Sequence, residues 1–118
     1  TREAKPTARV LEGIVAAQKQ AQPWVYPSGL IEIPMSPISD VTAFRSGRWK
    51  LDWYLEAIRL SVEWCLAHGA AYDYLAHPSC LGVVDPKLRV IDLICDLAEK
   101  ANIKIVGLSQ FAQRAKQS

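Results

Sequence analysis

The chain has 118 residues, with 14 Lys or Arg, 12 Asp or Glu and 2 His, for a formal charge of +2. That length allows at most one small domain, and a composition half hydrophobic predicts a soluble globular chain with a real core. The small charge, carried by scattered Lys and Arg, excludes a nucleic-acid footprint. No apolar run reaches the roughly 18 residues of a bilayer span, so neither nucleic acid nor membrane is expected as a partner. A first helix is expected from Pro6 or Thr7, with Val10, Leu11, Ile14 and Val15 on one face. Gln18 to Gln22 form its polar end, and Pro23 stops it. Trp24 to Gly29 then read as a connection with aromatic anchors and turn residues.

Leu30 to Met35 form the first expected strand, with Pro34 suggesting an edge or a bulge. Ser36 to Asp40 are a loop at that strand's C-terminal end, extended by Arg45 to Arg48. Asp40 is a candidate site residue, although an Asp in such a loop more commonly makes an Asx turn or a helix cap. A long helix is expected from Leu51 to His68 with two stripes: Leu51, Tyr54, Leu55, Ile58, Val62, Cys65 and Leu66, and Trp53, Ala57, Leu60 and Trp64. Two stripes call for cover on more than one side. His68 beside Gly69 is explained by the helix C-terminus alone.

Tyr72 to His77 read as a buried strand that Pro78 ends. His77 therefore stands at a strand-to-helix junction, the edge where parallel α/β folds place their chemistry. After a Pro-Ser-Cys turn, Asp85 (N-cap) and Pro86 (N1) open a helix to about Ala101. Its expected apolar face is Leu88, Ile91, Cys95 and Ala98, widened by Ile94 and Leu97. Asn102 takes the left-handed position that ends it. Ile103 to Leu108 form a third strand, and Ser109 caps a last helix over Gln110 to Lys116. Three cysteines without a CxxC spacing argue against a disulfide framework or a zinc ribbon. Cys65 and Cys95 are expected as buried thiols. Cys80 lies near His77, so a Cys–His nucleophile is conceivable, but no third group to orient it is visible.

The predicted order is αβαβαβα with parallel strands, an α/β chain. A three-stranded parallel sheet is small for a complete α/β domain, because such sheets are covered on both faces. The chain is therefore expected to be the end of a larger fold, and to form an oligomer or to pack against upstream sequence.

Leu75-Ala76-His77, followed by the Asp-Pro helix, the Ile-Lys-Ile-Val-Gly-Leu strand and the Ser-Gln-Phe-Ala helix, resembles the C-terminal portion of a polysaccharide deacetylase (NodB-homology) domain. Leu75-Ala76-His77 is similar to that family's late Leu-x-His motif. Asp40, after Ile-Glu-Ile-Pro-Met-Ser-Pro, occupies the place of the preceding motif, which usually supplies an aspartate. The resemblance spans essentially the whole chain and implies the C-terminal part of a deformed (β/α) barrel. It further implies metal-dependent removal of acetyl groups from N- or O-acetylated saccharides. His77 would then be the general acid, and Asp40 would orient it or tune it by charge proximity.

The family's metal ligands and catalytic-base aspartate belong to early motifs that have no counterpart here. Asp52-Trp53 looks superficially like its Asp-Trp motif, but stands at a helix start and is not carried over. Catalytic zinc normally takes three protein ligands, and His68 and His77 belong to different elements. A divalent metal, zinc in the first place, is therefore expected to be held by residues outside this chain and by none within it. A non-catalytic saccharide-binding or assembly module of the same fold is the alternative. A free-standing small α/β domain with an unrelated ligand is a third reading. The compartment is left open, with a slight lean to the cytoplasm.

Overall fold

A computed structural model of the chain describes residues 4–117. Helix α1 spans Ala8–Gln20, and Thr7 caps it by accepting the amide of Val10 at 3.2 Å. Its buried side is Ile14 and Gln18, flanked by half-buried Leu11 and Val15, while Val10 is exposed. The expected polar end thus contributes Gln18, which is fully buried. After Pro23 the chain makes a hairpin, β1 (Trp24–Val25) against β2 (Ile31–Glu32), paired antiparallel through Trp24↔Glu32 and Val25↔Ile31. The turn closes through the Tyr26 amide on Leu30 O and the Gly29 amide on Tyr26 O. Gly29 has φ 91°, a conformation open to glycine and costly for other residues. The stretch expected as a mere connection is therefore one arm of this hairpin.

Val41–Ser46 form a π-helical segment that ends when the Gly47 amide reaches back to Thr42 O at 2.8 Å. Its Ala43 and Phe44 enter the core, and Phe44 packs on Tyr54 with ring centroids 4.7 Å apart. Helix α2 spans Leu51–His68 as its periodicity predicts, and Gly69 ends it in the left-handed region at φ 61°. Tyr54, Ala57, Ile58, Ser61, Val62 and Cys65 are buried, and α1 and α4 (Arg89–Lys100) both pack on the helix. Cover on more than one side, required by its two stripes, is what the fold provides.

Several expectations on the C-terminal half are corrected, among them Cys95 as a buried thiol, which is exposed. Pro78–Val84 form a helix, α3, rather than a simple turn, with Pro78 at its first position. The helix expected to open at Asp85-Pro86 begins at Arg89, because Leu88 stands in the left-handed region at φ 54°. Its buried side is Val90 and Ala98, with Leu93, Ile94 and Leu97 half-buried, so Leu88, Ile91 and Cys95 face solvent. Asn102 ends α4 at φ 57°, and the Ile103 amide returns to Ala98 O. The last helix, α5, spans Leu108–Gln117 and so already contains Ser109.

The fold is mixed α/β and mostly helical, and its only sheet among the described residues is the antiparallel hairpin. The expected strands over 72–77 and 103–108 form no ladder, and only Ile31–Glu32 of the first is paired. Segments 36–40 and 73–77 nevertheless run side by side in the same direction. The Ser36 amide donates to Asp73 O at 2.8 Å, and the His77 amide donates to Asp40 Oδ2 at 2.7 Å. Both pairs are 37 residues apart, as parallel neighbours require.

Candidate functional site

The two residues singled out in the sequence meet. Asp40 ends the segment that precedes the π-helical turn and is fully buried. His77 ends the neighbouring segment, at the entrance to α3, with its side chain about half exposed. His77 Nδ1 lies 2.8 Å from Asp40 Oδ1. A carboxylate only accepts hydrogen bonds, so Nδ1 carries the proton in this pair. The Asp40 Oδ1 atom also accepts the Val41 amide at 2.9 Å, while Oδ2 takes the His77 amide.

One carboxylate thus fixes both the backbone and the ring of the histidine. His77 Nε2 has no hydrogen-bond partner among the described residues, and the side chain that carries it is about half exposed. Burial pushes the Asp40 pKa up, but the bonds from the His77 ring, the His77 amide and the Val41 amide outweigh it. The net effect holds this carboxyl below its ordinary 3.8. A buried anion that orients an exposed imidazole is an arrangement suited to proton transfer at Nε2.

The layer beneath the pair is aromatic. Tyr74, three residues before His77, meets the fully buried Tyr54 of α2 hydroxyl to hydroxyl at 3.1 Å. Burial pushes the Tyr74 phenol up to about 12 and Tyr54 higher still, and the Asp40 charge raises both. Both therefore stay neutral at ordinary pH. Cys80 lies buried in α3 and makes no hydrogen bond to His77 among the described residues, so the two are not joined as a Cys–His nucleophile. His68 lies at the far end of α2, stacked on Trp64 with its Nδ1 on Trp64 O.

Asp85 is buried, but it acts as a cap: Oδ1 accepts the Arg89 amide and Oδ2 the Val90 amide, each at 2.9 Å. The capping role read from Asp85-Pro86 is retained, displaced by a turn. Asp52 stays in the first turn of α2, exposed and 3.6 Å from Arg89. The residues that sequence reasoning passed over are Tyr54, Tyr74 and Gln18. Their hydroxyls and amide look like ordinary packing or solvent groups until the tertiary neighbours are known.

Among the described residues no three His, Cys, Asp or Glu side chains gather as metal ligands. Asp40 has both oxygens committed to His77 and Val41, so these residues do not by themselves fit a metal. No helix is long and apolar enough to cross a membrane among the described residues. A groove of about 490 Å3 between α4 and the segment after it, lined by Cys95, Ala98, Glu99 and Ile105, shares no residue with the Asp40–His77 pair. Compared with known proteins, the chain matches no family model, no curated protein and no solved structure.

Proposed function

We propose that Asp40 and His77 form an acid–base pair, and that the chain is the C-terminal part of a deformed (β/α)-barrel hydrolase. That hydrolase removes acetyl groups from N- or O-acetylated saccharides. The carrying observation is the buried Asp40 carboxylate that holds His77 by amide and ring and leaves Nε2 without a hydrogen-bond partner on a half-exposed side chain. The parallel course of segments 36–40 and 73–77 supports the barrel reading. The metal of such a hydrolase would be held by residues outside this chain.

The chemistry of this chain's own residues follows from the tautomer. With Nδ1–H on Asp40, a second proton on Nε2 makes an imidazolium beside a fixed anion. That proton passes to the leaving nitrogen or oxygen as its bond to the acyl carbon breaks, so the amine or alcohol departs neutral. Without this donor the leaving group must depart as an anion, which is hardest for an amine. His77→Ala in the complete protein should lower kcat about 100- to 10,000-fold on an amide-linked acetyl sugar. Metal content and fold should be unchanged, and an activated acetate ester should lose much less. Full activity on the amide substrate would sink the proposal, and loss of metal would make His77 a ligand instead.

A non-catalytic assembly module is the second reading, favoured by the exposed apolar side chains of Ile103, Ile105 and Leu108. Metal analysis of the purified assembly separates the two: a stoichiometric divalent ion supports the hydrolase, and none supports the module.

A further inference from the structure

The segment that joins α4 to α5 runs from Ile103 to Gly107 without helix, turn or bend. Its backbone is tied at the two ends: the Ile103 amide donates to Ala98 O at 2.9 Å, and Gly107 O accepts the Gln110 amide at 3.1 Å. Between these ties, the amides of Lys104 to Gly107 and the carbonyls of Ile103 to Val106 have no partner among the described residues. The side chains Ile-Lys-Ile-Val are mostly those of a strand, and Ile103 and Ile105 are 55% and 65% exposed. Residues two apart share one side of an extended chain. Ile103 and Ile105 both line the groove of about 490 Å3 that Cys95 and Ala98 of α4 complete. A straight, exposed, β-branched segment with an open ladder is a template for another strand.

We infer that the chain forms a two-fold dimer in which segment 103–107 pairs antiparallel with the same segment of a second copy. An open ladder is satisfied by another extended backbone, and this segment is itself one. Amide direction alternates along a strand. With the Ile103 amide turned back to Ala98, those of Lys104 and Val106 point to the opposite edge. Pairing centred on Ile105 lets Lys104 of each copy exchange amide-to-carbonyl bonds with Val106 of the other. Ile105 then faces its own copy in the close, non-hydrogen-bonded position, on the side that carries the groove. A register centred on Lys104 would set two ammonium groups opposite each other, and one centred on Val106 would need Leu108, which is already helical. Area fits the same occupant. The chain exposes 7620 Å2, about 1,200 Å2 more than a folded monomer of 13.1 kDa calls for, and each partner of a standard dimer buries about 800 Å2. The pairing shares no residue with Asp40 and His77 and does not depend on their chemistry.

The test combines sedimentation equilibrium with site-directed crosslinking. The unsubstituted chain should sediment at twice 13.1 kDa. Lys104→Pro deletes an amide that has no partner within one copy, at an exposed position just past a helix end where proline is tolerated. It should keep the helical circular dichroism and raise the dimer dissociation constant about 100-fold, whereas Lys104→Gln, which keeps the amide, should leave it within a few-fold. For crosslinking, Cys95→Ser first removes the one exposed thiol. On that background Ile105→Cys should give a covalent dimer under oxidised glutathione, since facing residues have Cα atoms about 4.5 Å apart, within disulfide reach. Leu108→Cys should not, although Leu108 is 52% exposed, because it lies about 20 Å from its own copy in this register. A monomer for the unsubstituted chain overturns the inference. So does a dimer that survives Lys104→Pro, or crosslinking at 108 in preference to 105, a readout that needs no proline variant to fold.

Discussion

Asp40 carries the most structural consequence per atom, since its two oxygens accept from Val41, from the His77 amide and from the His77 ring. Its folded pKa lies below the ordinary 3.8, so the folded state binds fewer protons than the unfolded one around that pH. The stability it contributes is fully present above the unfolded value and is lost as pH falls through the folded value. Asp40→Asn should therefore lower Tm by a constant amount above about pH 5, and the gap to the unsubstituted chain should narrow as the pH falls below about 4. Thermal melts between pH 2 and 7 check this, and a gap that widens toward acid would refute it. Asp85 differs in kind. Asp85→Ala removes two amide partners of α4 and should cost roughly 1–2 kcal/mol in denaturant unfolding, without breaking the Asp40–His77 bonds.

The Asp40–His77 pairing was legible in part: both residues end predicted extended segments in loops of the same kind. What placed them in contact is the side-by-side course of two segments 37 residues apart, and the spacing within either one says nothing of that. Gln18 was illegible for a related reason. A glutamine near a helix end reads as solvent-facing, and only the carbonyl of Ala71 explains its burial.

At the scale of elements, α2 was the most legible, since a long run with apolar residues every three or four positions has few alternatives to a buried helix. The π-helical segment 41–46 was not, because its five-residue turn, closed by the Gly47 amide on Thr42 O, has no apolar periodicity of its own to be read from six residues. Gly47 is also where that element is most vulnerable. A Cβ there would stand 2.8 Å from Trp49 Nε1 and 3.0 Å from Ala43 O, and Trp49 and Ala43 are both buried. Gly47→Ala should destabilise by about 1–3 kcal/mol through overpacking, with a changed emission of the buried indole. Unchanged unfolding and fluorescence would show that the segment yields freely. The strand expected over 103–108 has the right alternation, but alternation specifies a face and not a partner, and no ladder forms.

At the scale of the molecule, the surface is larger than its mass calls for. The chain exposes 7620 Å2, whereas a folded monomer of 13.1 kDa exposes about 6,400 Å2 by the usual scaling. The excess is comparable to one partner's share of a standard interface, about 800 Å2. Part of it is apolar: Leu30 and Ile105 are each 65% exposed, and Met35 is 58% exposed. The chain should therefore associate at micromolar concentration, with itself or with a further polypeptide segment. Sedimentation should show species above 13.1 kDa, and Ile103→Lys with Ile105→Lys should shift them toward the monomer without lowering Tm. A monodisperse monomer with a single cooperative melt would count against this.

The grip of Asp40 on the His77 backbone makes the opening of the junction before α3 a quantity that can be timed. The amide that bonds to Oδ2 can exchange with deuterium only when that bond opens, and the neighbouring oxygen of the same carboxylate holds the ring. Exchange at this one N–H therefore counts the moments when the carboxylate lets go of the His77 backbone. Its protection factor, followed against temperature, measures how firmly Asp40 pins the junction between segment 73–77 and α3.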